Sequence, residues 1–147
     1  MPDELLISRK LSQLKEYVNV LKQANDINWQ KYTTDCRSKA FVERYIHLSI
    51  ETVFDIANHI ISFHGFREPE EYRDLFNILN ENNILPVESV DTFKKMVSFR
   101  NMLVHRYDKI DDAVVFGIFK KRLKDFIWFS DCIKKWTIQS NSFSGNH

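Results

Sequence analysis

Between Asp35 and His64 the chain keeps apolar residues at helical spacing over about thirty residues, without a glycine or a proline. The apolar residues recur every three or four positions, as on a helix with one apolar face. They are Phe41, Tyr45, Leu48, Val53, Ile56, Ile60 and Phe63. A helix of this length spans about 45 Å. Because such a rod needs partners along its length, the stretch predicts a helical bundle.

Glycine and proline are scarce throughout the chain, with three of each among 147 residues. An all-β fold needs many turns built from these residues, so sandwiches and barrels are excluded. Each proline (Pro2, Pro69 and Pro86) stands where a helix can begin, the position that proline tolerates best. The length is that of a single domain.

Four further segments have helical periodicity. They are about Asp3–Ala24, with Leu5/Leu6 starting its apolar stripe, Glu70–Glu81, Val87–Val104, and a last helix from Asp111-Asp112 to about Thr137. The polar stretch 25–32 is predicted to be a connection, and Gly65 ends the long helix. The run AVVFGIF has strand propensity but lies inside a helical period. The sequence thus predicts an all-α, up-and-down bundle of about five helices, with residues 1–137 as the domain and 138–147 as a disordered tail.

Charge and cysteine content limit the function classes. The 21 basic residues nearly balance the 20 acidic ones, giving a formal charge of +1, so any nucleic-acid contact depends on a local patch. The basic clusters Lys94-Lys95, KKRLK (120–124) and Lys134-Lys135 are most often solvated helix faces. Cys36 and Cys132 match no metal spacing, and we expect two reduced, half-buried thiols, with one disulfide as the alternative. The N-terminus has no secretory leader and no run could span a membrane, which predicts a cytoplasmic protein.

The stretch FRNMLVHRYDKID (99–111) combines groups suited to phosphodiester chemistry. Imidazole both takes and gives a proton near neutral pH, and guanidinium grips phosphate oxygens with two hydrogen bonds. His105 and Arg100 could therefore cleave RNA without a metal, the imidazole moving protons and the guanidinium bearing the developing charge. The alternative is a helix C-terminus whose cations complement the last carbonyls.

The spacing of these two residues raises a geometric difficulty. On an ideal helix Arg100 and His105 point about 140° apart. They share a site only if the helix unwinds near Val104 or if a second copy supplies the missing group. We favour a symmetric dimer, in which one imidazole acts as base and the other as acid.

The string RNMLVHRYDKID resembles the Arg-x4-His-x-Tyr motif of the HepT family, toxins of the HEPN superfamily. The resemblance extends over almost the whole chain, through SQLKEYV, ERYIHLSIETVFDIANHII, YRDLFNILNENNILP and FKKMVSFRNMLVHRYDKID. It implies an all-α homodimer that cleaves RNA without metal or cofactor at an interface cleft. Arg100 and His105 would be catalytic, and Asn101 would be the polar residue that follows the motif arginine.

The same resemblance implies a partner. In this family a minimal nucleotidyltransferase antitoxin, MntA, transfers AMP from ATP to the motif tyrosine, which matches Tyr107. The chain would then be the toxin of a type VII-like toxin–antitoxin system. AMP adds bulk and negative charge two residues from His105, which would repel an RNA phosphate.

A second constellation lies on the long helix. Glu51, Asp55 and His59 are spaced four residues apart and fall within about 80° of one another. One interpretation is that Glu51 or Asp55 holds the Arg100 guanidinium in position. The alternatives are a divalent-metal site and plain structural side chains.

Two other functions remain open from the sequence. The chain could be a non-catalytic subunit that binds a nucleotidyltransferase and contributes a substrate cleft, or a structural helical dimer. The joint presence of Arg100, His105 and Tyr107 favours the ribonuclease, because a scaffold has no need of that trio.

Overall fold

The computed structural model describes residues 2–105 and 110–145, which are almost entirely helical and contain no strand. The elements are α1 (Pro2–Gln23), α2 (Trp29–Thr34), α3 (Cys36–Phe63), α4 (Asp74–Glu81), α5 (Val87–His105), α6 (Asp112–Gly117), a π-helical turn (Ile118–Arg122) and α7 (Leu123–Gly145). The predicted all-α bundle is confirmed. Within the described ranges, none of the helices has the length and apolar character needed to cross a bilayer.

The long helix α3 is the centre of the bundle and packs against α1, α2, α4, α5 and α7. One face of α3 is buried along its whole length, from Val42 to Ile61. Its end follows the prediction, because Gly65 adopts a φ of 67° and lets the chain turn back. The amide of Phe66 then donates to the carbonyl of Ile61 at 3.0 Å, which satisfies the exposed end of the helix.

Aromatic side chains form much of the core where α3, α4, α5 and α7 meet. Phe76 lies between Phe54 and Phe93, with ring centroids at 6.0 and 5.3 Å. Phe93 also packs edge-on against Phe129 of α7 at 5.4 Å. All four rings are buried.

Several sequence expectations are corrected. The stretch 25–32 is not only a connection, because Asn28 caps the short helix α2 by accepting a hydrogen bond from the amide of Lys31. In α1, Leu5 and Leu6 are exposed and Ile7 begins the buried stripe. Helix α4 begins at Asp74, four residues later than predicted.

The end of the chain also differs from the prediction. The last helix is interrupted by the π-helical turn, and α7 runs to Gly145 rather than ending near Thr137, so residues 138–145 are helical. These residues lack apolar periodicity, so the pattern of the chain does not predict the extension. The domain boundary at residue 137 stays a prediction.

Both cysteines are free thiols, as expected. Cys36 is exposed and Cys132 is half-buried. Burial raises the pKa of the Cys132 thiol, which keeps it protonated and unreactive at neutral pH.

A charged clamp fixes the segment before α4. Arg67 donates to both carboxylate oxygens of Asp74, at 2.7 and 2.8 Å, and also pairs with Glu81. Asp74 is nearly buried and accepts further hydrogen bonds from the Glu70 amide and the Asn77 side chain. The hydrogen bonds from Arg67 hold the pKa of Asp74 well below its usual range, against the opposing effect of burial.

We expect Asp74→Asn to lower the free energy of unfolding at pH 7 by about 1.5–3 kcal/mol, because a charged pair of hydrogen bonds is lost. The folded-state pKa of Asp74 is depressed, so its contribution is present above the unfolded pKa of about 3.9 and is lost as pH falls below it. The difference between wild type and variant in chemical denaturation should therefore shrink as the pH is lowered from neutral towards strong acid. Glu81→Gln, on the exposed side of the same guanidinium, is the control and should cost under about 1 kcal/mol. If the difference in free energy of unfolding between wild type and Asp74→Asn were the same at all pH values, the ionic contact of Asp74 with Arg67 would not be its source.

Candidate functional site

Helix α5 carries Arg100, Asn101 and His105 on its last two turns. The helix continues through Val104 to His105, so it does not unwind where one interpretation of the sequence required it. Five residues along a regular helix separate the Arg100 and His105 side chains by about 140°. The arrangement that required an unwound helix near Val104 is therefore wrong, and the one with a second copy stays a prediction.

The guanidinium of Arg100 is held on two sides. Its Nε donates to Oε1 of Glu51 on α3 at 2.7 Å, and its Nη1 lies 3.4 Å from Oδ1 of Asn101. The ring of Tyr72 lies against the guanidinium, 5.0 Å from Cζ to the ring centroid. The arginine side chain keeps 19% of its surface exposed. Within the described part of the chain its Nη2 has no hydrogen-bond partner, so that group can still donate to a ligand.

Tyr72 is a site residue that the sequence does not reveal. It stands just before α4 and stacks on the buried Phe54 of α3, with ring centroids 5.1 Å apart and planes 25° apart. The phenol ring therefore lies between a rigid core side chain and the guanidinium of Arg100. A cation over an aromatic face contributes about 0.5–1 kcal/mol at a partly exposed site.

His47 is a second residue of the site that the sequence analysis did not single out. Its Nε2 lies 3.3 Å from Oε1 of Glu51, the same oxygen that accepts from Arg100. The two α3 residues are four positions apart, so the i,i+4 spacing was the signal available. His47, Glu51 and Arg100 form one polar chain between α3 and α5.

The constellation of Glu51, Asp55 and His59 does not converge. Asp55 accepts from Lys10 of α1 at 3.3 Å, and the His59 ring stacks on Phe63 at 5.9 Å. Within the described residues there is no group of three side chains that could hold a metal ion. Of the two carboxylates considered for Arg100, the structure places only Glu51 in contact with it.

His105 is an exposed residue at the end of α5. It is more exposed than the half-buried Arg100. Tyr107 lies outside the described residues. One chain thus holds the Arg100 guanidinium in a fixed position and carries the exposed His105 on another side of the same helix.

Comparison with known proteins assigns most of the chain to one family. Residues 7–133 match the family model described as ribonuclease HepT-like. The chain is 30% identical over 129 residues to the mRNA nuclease HepT of Shewanella oneidensis, covering 88% of this chain and 96% of that protein. It is 28% identical over 116 residues to the tRNA nuclease HepT of Aphanizomenon flos-aquae, covering 78% of each.

Solved structures agree with the sequence match. The tri-AMPylated HEPN toxin of Shewanella oneidensis, solved in complex with its MNT antitoxin, superposes with a TM-score of 0.81 at 29% identity, covering 88% of this chain and 96% of that one. YutE, a cytosolic protein of Bacillus subtilis, superposes with a TM-score of 0.82 over 94% of this chain and 92% of its own. At 21% identity, YutE supports the fold alone.

Proposed function

Because the chain belongs to the ribonuclease HepT-like family, we propose that it is a metal-independent endoribonuclease whose site combines Arg100 and His105 from two subunits. Two relatives are named as nucleases, one acting on mRNA and the other on tRNA. We propose RNA as the substrate class here and the cytoplasm as the place of action.

The observation that carries this proposal is that contacts with neighbouring side chains hold the Arg100 guanidinium in position. Glu51 and Tyr72 fix the guanidinium, yet part of it stays accessible and Nη2 keeps its donor capacity. A guanidinium fixed in advance loses little entropy when it binds a phosphate and can stabilise charge that develops in the transition state. We assign Glu51, His47 and Tyr72 as positioning residues, with Asn101 as a supporting polar group.

The proposed reaction needs two imidazoles. The His105 imidazole of one subunit takes the proton from a ribose 2′-hydroxyl, and the 2′-oxygen attacks the adjacent phosphorus. The bond from phosphorus to the 5′-oxygen breaks, and the second imidazole gives that oxygen a proton. The products are a 2′,3′-cyclic phosphate and a 5′-hydroxyl. Arg100 holds the non-bridging oxygens as their negative charge builds.

The helix geometry supports a dimer. Since α5 stays regular to its last residue, Arg100 and His105 of one chain lie on different sides of the helix, about 140° apart, so one chain alone forms an incomplete site. A two-fold axis beside α5 would bring the same patch of both copies together. Two guanidinium and two imidazole groups would then face one cleft.

We further propose that the chain is the toxin of a type VII-like toxin–antitoxin pair. The Shewanella oneidensis structure pairs an AMPylated HEPN toxin with an MNT antitoxin. By that likeness, a minimal nucleotidyltransferase would transfer AMP from ATP to Tyr107 of this chain. The added phosphate and nucleoside, two residues from His105, would block the cleft by charge and bulk.

Cleavage of RNA in the presence of EDTA tests the proposed function. The purified chain is incubated with a radiolabelled single-stranded RNA, and the cleavage products are resolved with their end groups identified. Cyclic phosphate ends formed without metal support the proposal. Intact RNA, together with binding to a nucleotidyltransferase, would establish the alternative of a non-catalytic subunit.

Replacing Glu51 tests the positioning of Arg100. We expect Glu51→Gln to lower kcat roughly tenfold or more, because the amide keeps the shape but loses the charge that orients the guanidinium. KM should change less, since the cation itself remains. Steady-state cleavage of the same RNA measures both constants.

Asp55→Asn is the matched control for that experiment. It makes the same carboxylate-to-amide change one turn further along α3, on a side chain that pairs with Lys10 instead. Cleavage by Asp55→Asn should equal that of wild type, with comparable thermal stability for both variants. Equal kcat values for Glu51→Gln and wild type would remove the positioning role.

A further inference from the structure

Four lysines surround a surface pocket at one end of the bundle. Lys22, Lys120, Lys121 and Lys124 line it together with Asn25, over a floor of apolar side chains. The pocket has a volume of about 370 Å³. We refer to these four lysines and Asn25 as the basic pocket.

The basic pocket is assembled from three parts of the chain. Lys22 comes from the last turn of α1 and Asn25 from the connection that follows. Lys120 and Lys121 belong to the π-helical turn, and Lys124 opens α7. A π turn interrupts the regular advance of side chains around a helix and is frequent at functional sites. The π-helical turn forms part of the wall of the basic pocket.

The lysines of the basic pocket make no direct ion pair within the described part of the chain. No carboxylate from the described ranges lines the pocket. Asp26, the acidic residue next to Asn25, is held by Lys31 at 2.8 Å. The ammonium of Lys120 lies over the Phe119 ring at 4.7 Å, so this cation is anchored. Asp26 also attracts Lys120 more weakly, so the basic pocket keeps a net positive charge although one of its four cations is partly compensated.

The basic pocket lies at the same end of the bundle as the end of α5. Contacts of Lys10 with Asp55 and of Tyr17 with Tyr45 show that α1 runs antiparallel to α3, so α1 ends beside the start of α3. Lys39, near that start, pairs with Asp112 at 2.9 Å. Asp112 follows His105 by seven residues and opens the segment that leads into the π-helical turn.

We propose that the basic pocket binds backbone phosphates of the RNA substrate, away from the linkage that is cut. This inference rests on the proposed function and names a binding site for its substrate. Lysine ammonium groups attract phosphates without reading bases, which supplies the local attraction that a net charge of +1 withholds. A protein partner is disfavoured because the centres of protein interfaces are depleted in lysine.

Binding of uncleaved RNA tests the inference separately from catalysis. Fluorescence anisotropy of a labelled single-stranded RNA of about 15 nucleotides is measured with EDTA in a His105→Ala background. Lys121→Ala/Lys124→Ala should weaken binding roughly fivefold to thirtyfold at about 50 mM salt. The slope of log affinity against log salt should fall in magnitude by about 1.4, since two phosphate contacts are lost.

Lys134→Ala/Lys135→Ala is the matched control. It removes the same charge from exposed positions on the same helix, and Lys134 lies beside Glu4 and Ile7 near the start of α1, at the opposite end of the bundle. We expect its affinity and salt slope to equal those of the background.

Two results would overturn the inference. One is equal loss of affinity in both double variants, which indicates net charge alone. The other is unchanged RNA binding by Lys121→Ala/Lys124→Ala. If this variant binds RNA normally but no longer binds a nucleotidyltransferase, the basic pocket is a site for that protein and not for RNA. Failure of the wild type to cut RNA would overturn the proposed function but would leave the binding result intact.

Discussion

RNA cleavage by the His105→Ala variant is expected to be about 10²–10⁴-fold slower than by wild type, because both proton transfers lose their imidazole. His105 is an exposed residue at the end of α5, so the free energy of unfolding should change by no more than about 1 kcal/mol. Initial rates with labelled RNA and EDTA measure the first effect, and chemical denaturation measures the second.

His64→Ala is the control for this variant. His64 is also exposed but lies at the end of α3, with its ring against Trp136 at 5.0 Å. This variant should cut RNA at the wild-type rate. Cleavage that survives His105→Ala would point to a contaminating nuclease or another site. A strictly monomeric protein that still cuts would contradict the composite site.

Tyr107→Phe is expected to separate toxicity from its neutralisation. With the nucleotidyltransferase partner and ATP, wild type should gain mass by AMP and lose RNA cleavage. Tyr107→Phe lacks the phenolic oxygen that would attack the α-phosphate of ATP, so it should stay unmodified and active. Intact-mass spectrometry and the RNA assay, run on the same samples, give the two readouts.

The matched control for that experiment removes one hydroxyl elsewhere. Tyr17→Phe, on α1, should still gain AMP and be silenced. Loss of cleavage in Tyr107→Phe on adding the partner, without a change of mass, would show that binding alone neutralises the toxin and would contradict the proposed route.

The helices were predictable because their buried faces recur with a regular period. Val90, Phe93, Met96 and Val97 of α5 are buried as their spacing indicated. The short helix α2 was missed because its stability depends on one cap and on Tyr32, buried against Phe116 of α6. Such distant contacts leave no periodic signal.

In the candidate site, too, residues close together in the sequence were predictable and contacts between distant segments were not. Arg100 and His105 lie in one short stretch, so their chemistry was visible in the sequence. The contact of Glu51 with Arg100 was one of several interpretations, since the spacing of Glu51, Asp55 and His59 could not decide which side chain faces α5. Tyr72 lies in the stretch predicted as the first turn of α4, which is not helical in the structure, and it reaches Arg100 only through the packing of α4 on α5.

The clamp at Asp74 has a consequence for the reactive cation. Arg67, Tyr72 and Asp74 belong to one short segment, and Arg73 fastens that segment to α5 through Ser98. The ring that supports Arg100 is thus kept in place by ionic contacts that the substrate never touches. Loss of the Asp74 charge would loosen this support, so the orientation of Arg100 depends on an ion pair at the edge of the bundle.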